Sequence, residues 1–337
     1  MSYEKFLEKL NPKVAQALKT AATNEVVKLE LASIYMTEEL GGGIGKGRVS
    51  LVFGPPSSGK SLLLLQSIAK WQKQGLVCAW ADVEGAFEKE WAKRLGVNID
   101  ELILVSGKSS GRLEENIRPL LEAEVDVLVI DSISDILPEV FVDKKGEMNS
   151  QEDRKQIGSH AKAVTALVNG IHYINKSTAV VLISQTTTMF GQSYVEQIPH
   201  GGQKVLFACS TIIRLNSSAS PNAQITDEVM VDGQLFTRAV ARDVDWIIRK
   251  NKLGSPFGTG SYRMYYAGPL AGIDNVRELV DSAVAFGVIK KGGAWFSYGE
   301  RKWQGQDALT KEMRTDESLY NEVLSDLKAA RNGGEVA

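Results

Sequence analysis

Gly54-Pro55-Pro56-Ser57-Ser58-Gly59-Lys60-Ser61 fits Gly-x-x-x-x-Gly-Lys-Ser at every fixed position, and the residues flanking it determine what the run can be. Ahead of it, Arg48 to Phe53 is apolar and β-branched, which predicts a buried strand; after it, Leu62 to Trp71 predicts a helix. In a strand, glycine loop and helix, consecutive backbone N–H groups and the start of the helix converge on one point, an arrangement suited to phosphate. Lys60 is expected to reach the β and γ phosphates of a nucleotide, and the Ser61 hydroxyl to ligate Mg²⁺. The nucleotide-binding set on this reading is Gly54, Pro55, Pro56, Ser57, Ser58, Gly59, Lys60, Ser61 and Leu62.

Downstream the chain alternates between apolar strand candidates and helices. Val77 to Asp82, Leu102 to Val105, Val125 to Asp131, Ala179 to Ser184 and Thr211 to Leu215 read as strands, with helices at Phe87 to Leu95, Leu113 to Glu122 and about Lys155 to Asn175. Near-continuous apolar strands between helices argue an α/β fold with a mostly parallel sheet covered on both faces. Val244 to Lys250 and Tyr262 to Tyr266 read as a further, antiparallel extension. Beyond Gly272 come a helix at Val276 to Phe286, a Gly292-Gly293 turn and a polar helical end, read as a small C-terminal domain. At the other end Phe6, Leu10, Val14 and Leu18 form an apolar stripe broken by Asn11-Pro12, predicting short amphipathic helices that cover either their own core or a neighbouring subunit.

Composition narrows the class. With 337 residues, 43% hydrophobic and 24% charged, the chain is ordinary for a globular protein, and no apolar run approaches the roughly 18 residues of a membrane span. The N-terminus lacks an apolar signal region, so a cytoplasmic protein without membrane contact is expected. Cys78 and Cys209 lie in separate apolar segments and read as buried thiols, and three histidines make a His-based zinc site a poor fit. A net charge of −2 offers no bulk attraction to nucleic acid, so any such contact must come from local clusters.

Leu128-Val129-Ile130-Asp131 ends an apolar strand in a carboxylate, the expected ligand position in an open α/β sheet, and makes Asp131 the Mg²⁺ partner of Ser61. Phosphoryl transfer to water also needs a group that orients the nucleophile. Glu84, just past the strand Val77 to Asp82, suits that base. Gln185, ending the strand at Ser184, is an uncharged amide placed to sense a γ-phosphate and pass its presence to the next loop.

Taken in order, these motifs resemble the RecA family of recombinases. The resemblance is carried by Gly54 to Ser61; Asp82-Val83-Glu84-Gly85-Ala86 with Arg94-Leu95-Gly96-Val97; Val129-Ile130-Asp131-Ser132; and Ile183-Ser184-Gln185. It continues through Met189-Phe190-Gly191, Gly201-Gly202, Lys250-Asn251-Lys252 and Gly293-Ala294-Trp295-Phe296-Ser297-Tyr298, and spans about residues 30 to 325. It implies a RecA-type ATPase core at 33–268, an N-terminal oligomerisation segment at 1–32 and a small C-terminal α+β domain at 269–337.

By the resemblance, Glu84 activates water, Gln185 couples the γ-phosphate to DNA, and Trp91, with Glu88 nearby, stacks on adenine while Tyr266 covers the other side of the base. Two loops would hold single-stranded DNA: Pro138 to Gly158 with Lys144, Lys145, Arg154 and Lys155, and Thr186 to His200 with Met189, Phe190 and Gly191, followed by Gly201 and Gly202. Lys250 and Lys252 would reach the ATP of the adjacent protomer, with Phe207, Phe6 and Leu10 at the same interface. The implied activity is a DNA-dependent ATPase that uses ATP and Mg²⁺ to form helical filaments on single-stranded DNA and to exchange strands with a homologous duplex.

Three features depart from the family pattern: a longer, more basic first DNA loop, fewer residues between Gln185 and Phe190, and an end at Arg331 to Ala337 without a long acidic tail. These suit a phage-encoded member. Two rival readings share the ATPase core: a hexameric helicase, and a recombination mediator or clock-type relative whose assembly matters more than its DNA contact.

Overall fold

The computed structural model describes residues 5–6, 9, 25–141, 158–188, 197–217, 224–231, 234–268 and 270–331. Leu10, Val14, Leu18, Lys144, Lys145, Arg154, Lys155, Met189, Phe190 and Gly191 lie outside the described residues.

Strand β1 (Lys28–Leu29) pairs with β2 (Ile44–Gly45), and helix α1 (Ile34–Glu39) lies between them in the chain. The central sheet begins with β3 (Val49–Gly54), buried along its whole length. Helix α2 (Lys60–Lys73) follows the glycine loop, with Leu63, Leu64, Ile68 and Trp71 fully buried. Each of these aliphatic side chains stabilises the fold by about 1.5–3 kcal/mol through burial. Lys70 and Lys73 favour the negative end of the α2 dipole, and Gly75 at φ +81° then lets the chain turn away.

The chain continues through β4 (Cys78–Asp82), α3 (Lys89–Arg94), β5 (Ile103–Ser106), α4 (Ser110–Glu122), β6 (Val127–Asp131), α5 (Ser159–Ile174) and β7 (Ala179–Thr188). Next come β8 (Gln197–Pro199), α6 (Gln203–Ala208), β9 (Thr211–Asn216), β10 (Gln224–Val231), β11 (Gln234–Asn251), β12 (Thr259–Tyr265) and β13 (Gly272–Ile273). The sheet order is β13-β12-β11-β9-β3-β7-β6-β4-β5. From β9 to β5 all neighbours are parallel, while β11, β12 and β13 extend the sheet antiparallel. Separate apolar clusters cover the two faces, one built on Leu63, Ile68 and Trp71 and the other on Leu113, Val164 and Leu167.

Two sequence expectations need correction. The stretch from Thr186 was expected to be loop; instead β7 runs on to Thr188 and β8 returns beside it, with Thr186 opposite Pro199 and Thr188 opposite Gln197. Three consecutive β-branched threonines favour an extended stem. The strand expected at Val244 to Lys250 is the end of an 18-residue strand whose first half forms a hairpin with β10.

The C-terminal part comprises α7 (Asn275–Ala285), a three-stranded antiparallel sheet of β14 (Lys290–Gly292), β15 (Trp295–Tyr298) and β16 (Arg301–Gln304), then α8 (Gln306–Met313) and α9 (Glu317–Arg331). Its own core gathers Leu279, Phe296, Trp303, Leu309 and Val323. Cys78 and Cys209 are free and buried, and burial pushes both thiols up to about 12.

Candidate nucleotide site at the sheet edge

Parallel strands end on one edge of a sheet, so their order decides which side chains meet. With β3, β7, β6 and β4 adjacent, Gly54, Asp131 and Asp82 end their strands on one edge, and Gln185, inside β7, lies level with Gly54. Gly54 has no room for a side chain, since a Cβ there would sit 2.3 Å from the Leu215 carbonyl oxygen. Gly59 takes φ +89°, and a Cβ on it would meet Met264 Sδ at 2.7 Å. The N–H groups of Lys60, Ser61 and Leu62 belong to the first turn of α2, where no intrahelical acceptor exists, and they are free to face an anion.

Lys60 is buried and its Nζ donates to the carbonyls of Gly54 and Pro55 at 3.1 and 2.9 Å. Burial lowers its pKa, against the pull of Asp131 and Glu84. Ser61 Oγ donates to Asp131 Oδ2 at 2.7 Å. Burial pushes the Asp131 carboxyl up to about 6 despite that bond, with Glu84 adding to the rise. A hydroxyl–carboxylate pair of oxygen donors, with the carboxylate buried, suits a hard dication such as Mg²⁺, and the buried Ser58 Oγ has no partner among the described residues. The residues present therefore fit a magnesium-bound nucleotide.

Glu84 is exposed on the loop after β4, and its place there is set by Asp82. The Asp82 carboxylate accepts from the N–H groups of Gly85, Ala86 and Phe87 at 2.8, 3.0 and 3.2 Å, while the Asp131 carbonyl accepts from Val83 and Glu84 N–H at 2.8 and 3.2 Å. Burial raises the Glu84 pKa, Asp135 raises it further, and Lys60 opposes the rise. Nothing in the run Asp82-Val83-Glu84-Gly85-Ala86 marks Asp82 as functional beyond an Asp followed by Gly three positions later, a turn signal.

Gln185 is held by its main chain: its N–H donates to Ser134 Oγ at 2.9 Å, and its carbonyl accepts from Ser184 Oγ at 2.9 Å and from His200 N–H at 3.3 Å. Ser184 Oγ also accepts from His200 N–H at 2.9 Å, so the strand end carrying Gln185 is tied to the chain leaving β8. Gly201, φ +96°, lies where a Cβ would press on Val164 and Val205 at 2.9 and 3.0 Å, and Gly202 follows at φ +78°.

Trp91 and Tyr266 are both half-buried against the same apolar cluster as α2. Glu88 is the N-cap of α3, its carboxylate accepting from Trp91 N–H at 2.7 Å. The loss of such a cap costs about 1 kcal/mol, so this carboxylate has a structural task whatever else it does.

Lys250 and Lys252 lie elsewhere. Lys250 pairs with Ile212 and Asn251 with Thr211, and Thr211 pairs with Ser50 near the start of β3. Five residues of strand, about 17 Å, separate that end of β3 from Gly54. The two lysines are thus on the edge opposite Lys60, Glu84 and Asp131. Lys250 Nζ donates to the carbonyls of Leu206 and Phe207, at 2.7 and 3.1 Å, near the end of α6; Phe207 is 72% exposed, and Lys252 is exposed too. Phe6, in the described part of the N-terminal segment, is also exposed.

Among the described residues no helix is long and apolar enough to cross a membrane. Residues 8–271 match the RecA N-terminal domain family and residues 277–332 the RecA C-terminal domain family. Protein RecA of Chlorobaculum tepidum is 32% identical over 323 residues, covering 94% of this chain and 87% of that protein. Protein RecA of Thermus aquaticus is 36% identical over 287 residues, with 84% and 78% covered. The phosphate loop, the acidic strand ends and the C-terminal aromatic segment are thus parts of one extended likeness, and this chain belongs to the RecA family.

Proposed function

We propose that this protein is an ATP-dependent recombinase of the cytoplasm that forms helical filaments on single-stranded DNA and exchanges strands with a homologous duplex. The observation that carries this reading is the separation of Lys250 and Lys252 from Lys60, Glu84 and Asp131 across the sheet. One copy cannot bring both sets to one phosphate, whereas a head-to-tail neighbour can, and a head-to-tail contact that does not close produces a helix.

In this scheme Lys60 leaves the Gly54 and Pro55 carbonyls to bind β and γ oxygens, and the loop N–H groups hold the remaining phosphate charge. Ser61 and Asp131 would hold Mg²⁺, which neutralises phosphate charge when bound. Glu84, raised in pKa and pinned through Asp82, takes a proton from the attacking water. Trp91 and Tyr266 flank the adenine. Lys250 and Lys252 of the next copy neutralise charge developing on the γ-phosphate. Gln185, tied through Ser134 to the turn after β6 and beside Ser184, which binds the chain leaving β8, passes the nucleotide state to the DNA-binding loops; there Lys144, Lys145, Arg154 and Lys155 meet phosphates, Met189, Phe190 and Gly191 meet bases, and Gly201 and Gly202 admit the backbone. The division at 33–268 and 269–337 separates the ATPase core from a C-terminal domain with its own apolar core.

Electron microscopy with ATP and single-stranded DNA tests this. Continuous helical filaments are expected, with ATP turnover stimulated by the DNA; six-membered rings would instead establish the helicase reading.

A further inference from the structure

Arg242 occupies an unusual position for a cation. It is directly opposite Met264 in the β11–β12 pair, and Tyr266 N–H donates to the Val240 carbonyl one step further along, at 2.8 Å. Alternation puts Arg242, Val244 and Trp246 on one face of β11; Val244 and Trp246 are buried in the cluster shared with α2. Met264 Sδ and Val244 Cγ2 are 2.7 and 4.0 Å from where a Cβ on Gly59 would be, so this face abuts the phosphate loop. Arg242 is the next residue of that face towards the edge where the loop opens.

Its guanidinium carbon is 5.2 Å from the centroid of the Tyr266 ring. Nη1 donates to the neutral Ser217 hydroxyl at 3.3 Å, and Nε is buried with no partner among the described residues. The nearby Arg263, by contrast, is matched in bidentate fashion by Asp243 at 2.9 and 3.1 Å. A guanidinium stacked on an aromatic ring beside an anion-binding loop, with a donor to spare, is better explained by a ligand than by packing.

We propose that Arg242 is a positioning residue for the nucleobase: it clamps one face of Tyr266, so that the opposite face becomes a rigid stacking platform for the purine. This rests on the nucleotide site described above. The ring is held by the cation–π contact and its main chain by the Val240 carbonyl, so the side chain does not have to be ordered when the nucleotide arrives.

The test is calorimetric titration of the full chain, wild type, Arg242→Met and Arg242→Lys, with Mg²⁺-ATP and with inorganic tripolyphosphate, which lacks the base. In Arg242→Met the Kd for ATP should rise about three- to thirty-fold, the range of one lost cation–π contact. Arg242→Lys, which keeps the charge without the planar fork, should recover part of it, and neither variant should change the Kd for tripolyphosphate. Equal weakening towards both ligands, or unchanged ATP affinity, overturns the proposal. If Arg242→Met does not fold, Arg242→Lys alone answers through the same ATP-to-tripolyphosphate split. A wild-type chain that binds neither ligand would overturn the nucleotide site itself, a separate failure.

Discussion

At the scale of single residues, the proposed hydrolysis divides one task between Glu84, which does the chemistry, and Asp82, which places it. Glu84→Gln removes the base while keeping the shape, so ATP should bind normally while turnover falls by about 10²- to 10⁴-fold, read by comparing nucleotide Kd with single-turnover hydrolysis. Asp82→Ala leaves the base intact and frees the three N–H groups that fold its loop. Its kcat should drop about 10- to 100-fold with little change in ATP affinity, the signature of a misplaced group. A matching loss of affinity would show that Asp82 supports the phosphate loop instead. The place of Glu84 just past an apolar strand was legible. Asp82 was not, because its role consists of hydrogen bonds to backbone that only the folded turn assembles.

At the scale of elements, Glu278 shows how far apart in the chain a joint can be. This carboxylate, on α7, is 3% exposed; it accepts from Ser33 Oγ and from Ile34 N–H at 2.9 Å, holding the start of α1. Burial raises its pKa to about 7, against the hydrogen bonds from Ser33 and the α1 backbone. The folded chain therefore keeps a proton that the unfolded chain releases above about 4.5, and stability should fall as pH rises between those values. Glu278→Gln removes the titration. In urea melts it should match wild type near pH 4 and exceed it by up to about 3 kcal/mol at pH 8; a constant difference would refute the link. The helix bearing Glu278 was visible in its apolar spacing, whereas the burial of a charged residue on it was not, since the partner lies 245 residues away. The β7–β8 stem was hidden for a related reason: polar threonines read as loop until a second strand pairs with them.

For the whole molecule, the prediction concerns what two copies do together. Glu84→Gln retains Lys250 and Lys252 but lacks the base, and a Lys250→Ala/Lys252→Ala double variant retains the base but lacks the lysines. Each should be nearly inactive alone. Mixed on single-stranded DNA they should recover roughly a quarter of wild-type ATP turnover, because random head-to-tail order joins the two intact halves at one junction in four. No recovery in co-assembled filaments would mean that the lysines act within their own subunit. Dilute monomer without DNA should turn over ATP very slowly.

The phosphate loop, the carboxylate ending an apolar strand at Asp131 and the alternation of strand and helix could be read directly from the chain, because each depends on neighbours a few residues apart and on local backbone geometry. Only the folded molecule assigned Lys250 to the edge opposite Lys60, set Arg242 on Tyr266 and placed Glu278 beneath Ser33. Those placements depend on strand order and on pairing between distant segments, which apolar spacing along the chain does not encode.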